Sequence, residues 1–425
     1  LTRFPLFYPE KRDFFLEGAD LFPFGGIPKS PLAFHSRKIG LSSNGSKIGI
    51  NAGAKLTGRV GPLGIGVLGM GLDDFENLDS DEVFVGRFTY DLFEESKVGT
   101  IFTHGDPQSN LNNQLAGVDL NLRSSNWWNE QSVSWHGFYM TSDDENENSD
   151  DVIGTHFTFP NYPFRASGHW VRTGENFNPA LGFVRRRGGE STGLGFTYYF
   201  EQPENELLED ISVGAEYDRY EWLDGDLDSD ELEINLIGIR TLAGDFLGLE
   251  VEFERDILQE PFEIIDEVII PSSEYKGVDF ELEFRSSSNR PVFGEFEIAY
   301  GHFYGGKATN AEIDLSWRPS KYFQLDFEIA STMARLPQNN FEVLTSSTGF
   351  RITPTTQLSF NGIAQYDNQS KTIGLNTRFR YIIKPGSDLF LVLNKGFDRG
   401  DDGELRNFRT FKTEAIAKLG WIFQF

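Results

Sequence analysis

The 425 residues contain no cysteine. That removes a disulfide framework and a thiolate metal site together. Long apolar runs are missing as well. No window approaches the roughly 18 apolar residues that a membrane-spanning helix requires. Basic charge is scarce: 38 Lys and Arg stand against 65 Asp and Glu, for a net charge of −27. Nucleic acid is therefore excluded as a partner, because its phosphates need cations opposite them. An acidic chain suits a solvated surface or an attraction for cations and basic partners. Histidine is sparse too. His35, His104, His136, His156, His169 and His302 are scattered without metal-ligand spacing, and no Gly-x-Ser-x-Gly elbow occurs. An enzyme is not expected; a lipase-like site at His136 and His156 near Ser134 is the minor alternative. The chain opens at Leu1 without Met or signal peptide, so a leader and a further domain are expected upstream.

What is present in quantity is Gly (44), Phe (40) and alternation. A mean hydropathy of −0.37 would ordinarily indicate a soluble protein. Barrel strands, however, alternate lipid-facing and lumen-facing residues and average their hydropathy away. Val278, Phe280, Leu282 and Phe284 alternate with Asp279, Glu281, Glu283 and Arg285. Leu247, Leu249, Val251 and Phe253 alternate with Gly248, Glu250, Glu252 and Glu254. The same period of two recurs at 311–318, 323–329, 373–381 and 413–425. A soluble β-sandwich alternates likewise, but these strands are longer than its usual five or six residues and suit a tilted membrane crossing. Tight turns at 243–245, 318–321 and 385–387 take turns with long acidic loops at 74–81, 143–150, 175–188, 223–229, 256–274 and 398–409. The expectation is an all-β transmembrane antiparallel up-and-down barrel in the outer membrane of a Gram-negative-type bacterium. About 22 strands are expected, counting a weak one near 34–42, with 20 as the alternative and both termini periplasmic.

The closing strand ends Lys418-Leu419-Gly420-Trp421-Ile422-Phe423-Gln424-Phe425. It resembles the C-terminal signal recognised by the barrel-assembly machinery, with Lys418, Gly420, Phe423 and Phe425 as its marks. That machinery and outer-membrane lipid are the partners this implies. The stretches Arg3-Phe4-Pro5-Leu6-Phe7-Tyr8-Pro9-Glu10-Lys11-Arg12 and Phe14-Phe15-Leu16-Glu17-Gly18-Ala19-Asp20 carry a second resemblance. So do Ser36-Arg37-Lys38-Ile39-Gly40 and 178–187. They resemble an uncharacterised family of outer-membrane barrels that often follow a domain similar to carbohydrate-binding module family 9. The specific motifs cover only the first 40 residues and 178–187. The family has no assigned catalytic residues, and a role with glycan-derived solutes is what the resemblance implies.

Residues 1–33 are too rich in Phe and Pro for a free tail and too irregular for a strand. They are expected as a lumen plug or a periplasmic cap, with the barrel at 34–425. Inward positions of neighbouring strands carry a dense acidic wall: Glu250, Glu252, Glu254, Asp279, Glu281, Glu283, Glu295, Glu297, Glu312, Asp314, Asp326 and Glu328, with Glu231 and Glu233 beside them. Such a cluster repels itself unless cations, Arg partners or a plug compensate it. Arg240, Arg285, Arg318, Arg378 and Arg380 are the expected partners. No cofactor is expected beyond calcium in the acidic outer loops. The alternating Asp224, Asp226 and Asp228 are its candidates, although Ser229 and Asn235 break an EF-hand pattern. Three functions follow: a porin- or transporter-like passage with an acidic lumen for glycan-derived or cationic solutes; a scaffold or secretion component holding a plug domain, partner chain or upstream domain; and, least favoured, an outer-membrane hydrolase.

Overall fold

The computed structural model describes residues 3–145, 149–202, 204–399 and 408–421. Twenty-three strands follow one another along the chain. They begin with β1 (Ile50–Val60), β2 (Leu63–Leu72), β3 (Asp81–Leu92), β4 (Ser96–His104), β5 (Asn113–Trp127) and β6 (Gln131–Asp144). Next come β7 (Ser149–Pro160), β8 (Phe164–Thr173), β9 (Gly189–Glu201), β10 (Leu208–Trp222), β11 (Leu227–Thr241) and β12 (Phe246–Ile257). The short pair β13 (Phe262–Ile265) and β14 (Val268–Ile270) precedes β15 (Glu274–Arg285), β16 (Val292–Phe303), β17 (Gly306–Ser320) and β18 (Phe323–Arg335). The chain closes with β19 (Asn340–Ile352), β20 (Leu358–Asp367), β21 (Thr372–Lys384), β22 (Ser387–Arg399) and β23 (Phe408–Leu419). All but β13 and β14 form one 21-stranded sheet in which every strand pairs antiparallel with the next, β12 passing directly to β15. Among the described residues no pairing joins β1 to β23.

Period two decides the two faces of this meander. Phe84, Phe88 and Tyr90 on β3, Phe280, Leu282 and Phe284 on β15, and Ile313, Leu315 and Trp317 on β17 are all exposed. Their neighbours one residue away are polar or covered. This is the reverse of a soluble sheet, where the apolar face is the buried one. No described helix is long and apolar enough to cross a membrane, which says nothing of strands.

Residues 3–48 form a strap with one short helix, α1 (Asp13–Leu16), and little other regular structure. It lies on the face opposite the exposed apolar one. Phe15, Phe22, Ile39 and Ile48 pack with Leu68, Met70, Leu72, Val83 and Val85. Ile27 and Ala33 pack with Ile101, Leu115, Phe138, Met140 and Val152. Burying each large apolar side chain is worth about 1.5–3 kcal/mol. The wall beneath is cleared for this approach: a side chain at Gly66 would meet the Phe22 ring at 3.2 Å, and one at Gly117 would meet Phe24 at 2.7 Å. The expected strand near 34–42 does not form. Ser36–Lys38 is a 3-10 turn, and Gly40 has φ +78°. Arg12 donates to the carbonyls of Ser36 and Ile39 at 2.7 Å each, occupying groups a ladder would use. The sheet therefore starts at Ile50 and has 21 strands.

An odd count has a geometric consequence. The start of β1 and the end of β23 lie at opposite ends of the sheet. The long connections 73–80, 174–188 and 258–273 share the end where β1 begins, together with the two-residue turn 304–305, and the turns at 61–62, 242–245, 321–322 and 385–386 share the other. Arg3 binds Asp228 at 3.0 Å and Asp256 at 3.5 Å, at the long-loop end of β11 and β12. The described N-terminal residues thus sit at the long-loop end, and the described part of β23 finishes at the other. Above the long-loop end, β13 and β14 fold back over Ala308, Ala334 and Leu336 as a separate apolar cluster.

Two ion clusters hold the strap. Arg87, 1 % exposed, forms a bidentate pair with Asp119 at 2.6 and 2.8 Å. Arg87 Nε also donates to Pro23 O at 3.1 Å, and Asp119 accepts the Gly25 N–H at 3.2 Å. Removing one partner of such a buried pair costs about 3–5 kcal/mol. Asp119→Asn should accordingly open the strap around Pro23–Gly25 to limited proteolysis while the sheet keeps its heat-modifiable band on a gel; an uncut strap would show that the pair does not hold it. The second cluster centres on Glu10, which accepts from Arg12 Nη2 at 2.7 Å, from Ser36 Oγ at 2.8 Å and from the backbone of Lys11 and Arg12. Burial opposes ionisation of Glu10, but these donors outweigh it and hold the carboxyl at about 2, below its ordinary 4.5. A depressed carboxyl stabilises fully above its unfolded value and loses that contribution as pH falls through its folded one. Proteolytic protection of residues 8–14 should therefore decline between about pH 4.5 and 2; Glu10→Gln should lack that pH dependence.

Candidate functional site: carboxylate and imidazole rows on the strap side

The register places the acidic side chains opposite one another. Glu233 faces Glu252, and Glu231 faces Glu254. Glu252 faces Asp279, and Glu250 faces Glu281. Glu283 faces Glu297, Glu297 faces Glu312 and Glu295 faces Asp314, and Asp314 faces Glu328. Directly opposed residues hold their Cβ atoms about 4.5–5.5 Å apart, and like charges there are destabilising. The wall is thus a continuous carboxylate surface from β10 to β18. Asp326, its last member, is held by Ser316 Oγ at 2.6 Å and Gln324 Nε2 at 2.7 Å. Glu312, Asp314 and Glu328 offer oxygens within 4.8 Å of one another.

The Arg compensation expected from sequence is mostly spent elsewhere. Arg285 does pair with Glu283 and with Glu295, the latter at 2.9 Å. Arg240 goes instead to Asp210 at 3.8 Å, and Arg380 to Asp388 at 2.6 Å. Arg318 donates to Ser288 O, and Arg378 stacks over Phe390. Among the described residues, Glu283 and Glu295 are the only two of the twelve wall acids in an ion pair. The strap supplies cations at the near edge of the wall: Lys29 Nζ lies 2.6 Å from Asp218, and Arg3 reaches Asp228 and Asp256.

Where strap and wall meet there is a cavity of about 430 Å³ lined by Arg3, Lys29, Arg186, Asp218, Asp256 and Tyr304, among others. Val171 of β8 and His302 of β16 both contribute to it, so the sheet curls to bring those strands around one space. Arg186 stacks on Phe4 at 3.9 Å and on Tyr220 at 4.8 Å, and shares Asp228 with Arg3. This decides the fate of the Asp224, Asp226 and Asp228 set. Asp228 is wholly buried against two guanidinium groups, whereas Asp224 and Asp226 stay in the exposed turn, with the Asp226 N–H on Asp224 at 3.0 Å. The three are not brought together: the ladder shifts register between the pairs Tyr220–Ser229 and Glu221–Leu227, and this bulge, against the alternation of β11, sets Asp228 beside Ser229 on the strap side.

Three histidines, in contrast, do converge. His136 faces His156, and His156 faces His169. The row continues through Gly193 to Asp218 and on to Glu231 and Glu254. Spacing along the sequence hides this row. Its signal is symmetry within each hairpin: 136 and 156 lie symmetrically about position 146, and 156 and 169 about a point between 162 and 163. Ser134 does not join them, since its hydroxyl pairs with Thr158. At the chain's end, Lys418 pairs with Phe390 in the ladder, and Gly420 exchanges two backbone bonds with Asp388. Phe423 and Phe425 lie outside the described residues.

No known family's profile matches the chain, and no curated protein matches it. Among solved structures it is similar to the siderophore receptor PiuA from Acinetobacter baumannii, at 10% identity and a TM-score of 0.45, over 85% of this chain and 75% of that one. It is also similar to BauA, the ferric preacinetobactin receptor from Acinetobacter baumannii, at 9% identity and 0.48, over 87% and 76%. The ferric enterobactin receptor PfeA from Pseudomonas aeruginosa, solved as a mutant, gives 8% and 0.47, over 87% and 71%.

Proposed function

We propose that the chain is an outer-membrane β-barrel of porin or transporter type whose inner wall admits cationic solutes and whose strap occludes part of the lumen. The inverted distribution of the faces carries this reading. A 21-stranded antiparallel meander with an exposed apolar face, and an opposite face that the strap covers from β2 to β8 and that is carboxylate beyond it, belongs in lipid rather than water. Closing the meander leaves no strand edge unpaired, which the bilayer interior demands. A carboxylate ring in a pore favours cations over anions. Glycan-derived solutes rest only on the resemblance of the N-terminal motifs.

A second reading is favoured by the reach of the strap. Its ion pairs stop at Asp256 on β12, leaving the acid rows of β15–β18 for a basic segment of another chain. Under this reading the barrel is a scaffold, and a basic partner travels with it through gentle detergent purification.

Planar-bilayer recording tests the passage. The intact protein should conduct weakly, Asp119→Asn should conduct more, and cations should outnumber anions in the current. That preference should fade near 1 M salt, where the Debye length falls to about 3 Å. The triple variant Glu252→Gln, Glu281→Gln, Glu297→Gln should lower it severalfold. Absence of conductance both in Asp119→Asn and after deletion of residues 3–30 would sink the passage.

A further inference from the structure

We infer that His136, His156 and His169 form a binding site for a transition-metal dication of the kind imidazole prefers: copper(II), nickel(II) or zinc(II). The inference goes beyond the passage of solutes and does not require the barrel to conduct.

Its first support is register. The three imidazoles are mutual cross-strand neighbours on β6, β7 and β8. Each points to the strap side, in step with Phe138, Val152 and Val171, which are buried there. The His136 and His156 ring centroids are 6.0 Å apart with planes inclined at 38°. Nitrogens bound at about 2.0–2.1 Å from one metal lie roughly 3.3 Å from each other. Binding therefore requires the histidine side chains to turn toward one another from the positions they hold here.

The second support is orphaned polarity. His156 Nδ1 is buried and has no hydrogen-bond partner, and neither has Asn121 Oδ1. Asn121 stands directly opposite His136 in the same row. A buried polar atom without a partner costs about 1–3 kcal/mol, and here two occur in one row, at the residues on either side of His136. A dication held by the ring nitrogens gives His156 a partner and places a positive charge beside the Asn121 oxygen.

The surroundings fit an outer shell. His169 Nε2 lies 3.4 Å from Ser191 Oγ and 3.8 Å from Asp218 Oδ1. A carboxylate behind a ligating imidazole fixes the ring and raises its basicity. Asp218 is itself held by Lys29 of the strap, which neutralises the nearest cation. The next cation, Lys97, stands between Asp91 and Asn121 in the ladder. Space is kept by glycine on both sides. A side chain at Gly193 would meet His169 at 2.1 Å, and one at Gly26, with φ +68°, would meet His136 Nδ1 at 2.9 Å. The strap backbone at Gly26 thereby lies over His136, and all three imidazoles are half-buried.

Copper(II) alone, titrated into the purified full chain in detergent, tests the site. One strongly bound ion per chain should give an electron paramagnetic resonance spectrum with coupling to several nitrogens. His156→Gln and, separately, His169→Gln should weaken binding by more than the roughly 10–100-fold that loss of an outer-shell partner costs. Each variant is first checked for the heat-modifiable band of the folded sheet, so that a folding failure in one leaves the other to decide. Glu252→Gln should leave the nitrogen signal unchanged. An oxygen-only spectrum, which would place the ion on the carboxylate wall, overturns the proposal. So does copper binding of unchanged affinity in both folded histidine variants.

Discussion

The two-residue period of the strands, locked by antiparallel pairing of each strand to the next, is the constraint on which everything else rests. Pairing satisfies the backbone groups within the sheet, so along an unbroken ladder a residue's parity decides which face it occupies, and the bulges of β11 are where that parity switches. A slip of one residue in any hairpin would carry Phe280, Leu282 and Phe284 to the strap side and Asp279, Glu281 and Glu283 to the apolar side. No other feature of the molecule has comparable reach. The acid rows, the histidine row and the bed of the strap are three consequences of one register.

The polar face then divides by what covers it. From β2 to β8 it is apolar or small, with Leu68, Val85, Leu115 and Met140 set among glycines, and the strap fills it. From β10 to β18 it is carboxylate, and the strap touches only its near edge, through Lys29 and Arg3. The division has a physical logic. The strap's Phe and Ile side chains need an apolar bed, while a row of opposed acids offers no such bed and repels itself. The buried Arg87–Asp119 pair sits on the apolar side, where desolvation makes a misplaced partner costly. It therefore specifies where the Pro23–Gly25 turn must lie. The odd strand count belongs to the same arrangement, since the strap joins β1 at the long-loop end.

Much of this was legible in the alternation. The strands and their two unlike faces follow from period two and from turn residues, which are local. What failed was long-range. The stretch 34–42 carries strand-like residues, but Arg12, more than twenty positions earlier, claims its carbonyls. The compensating arginines were assigned to the wall by face, yet Arg240 and Arg380 found Asp210 and Asp388 across single ladders. Asp228 follows Asp224 and Asp226 at two-residue steps in the sequence, but a bulge at the start of β11, which no local pattern announces, buried it against Arg3 and Arg186. The histidines looked scattered because their separations of 20 and 13 positions mean nothing until the centres of two hairpins are known.

One row of the ladder shows how far register can organise chemistry. Read across the sheet from β5 to β12, it carries Asn121, three imidazoles, a glycine and then Asp218, Glu231 and Glu254. Neutral nitrogen donors thus give way to anionic oxygen donors within a single line of neighbours about 4.8 Å apart. Gly193 is the boundary, and Lys29 reaches the first carboxylate beyond it. A cation moving along this line would exchange oxygen ligands for nitrogen ones without leaving the row. Hard cations gain nothing from that exchange, whereas borderline transition dications do. If the barrel passes solutes as proposed, the acid rows sort them by charge and the imidazoles at the end of one row add a sorting by ligand preference, beside the part of the strap that the Arg87–Asp119 pair holds down.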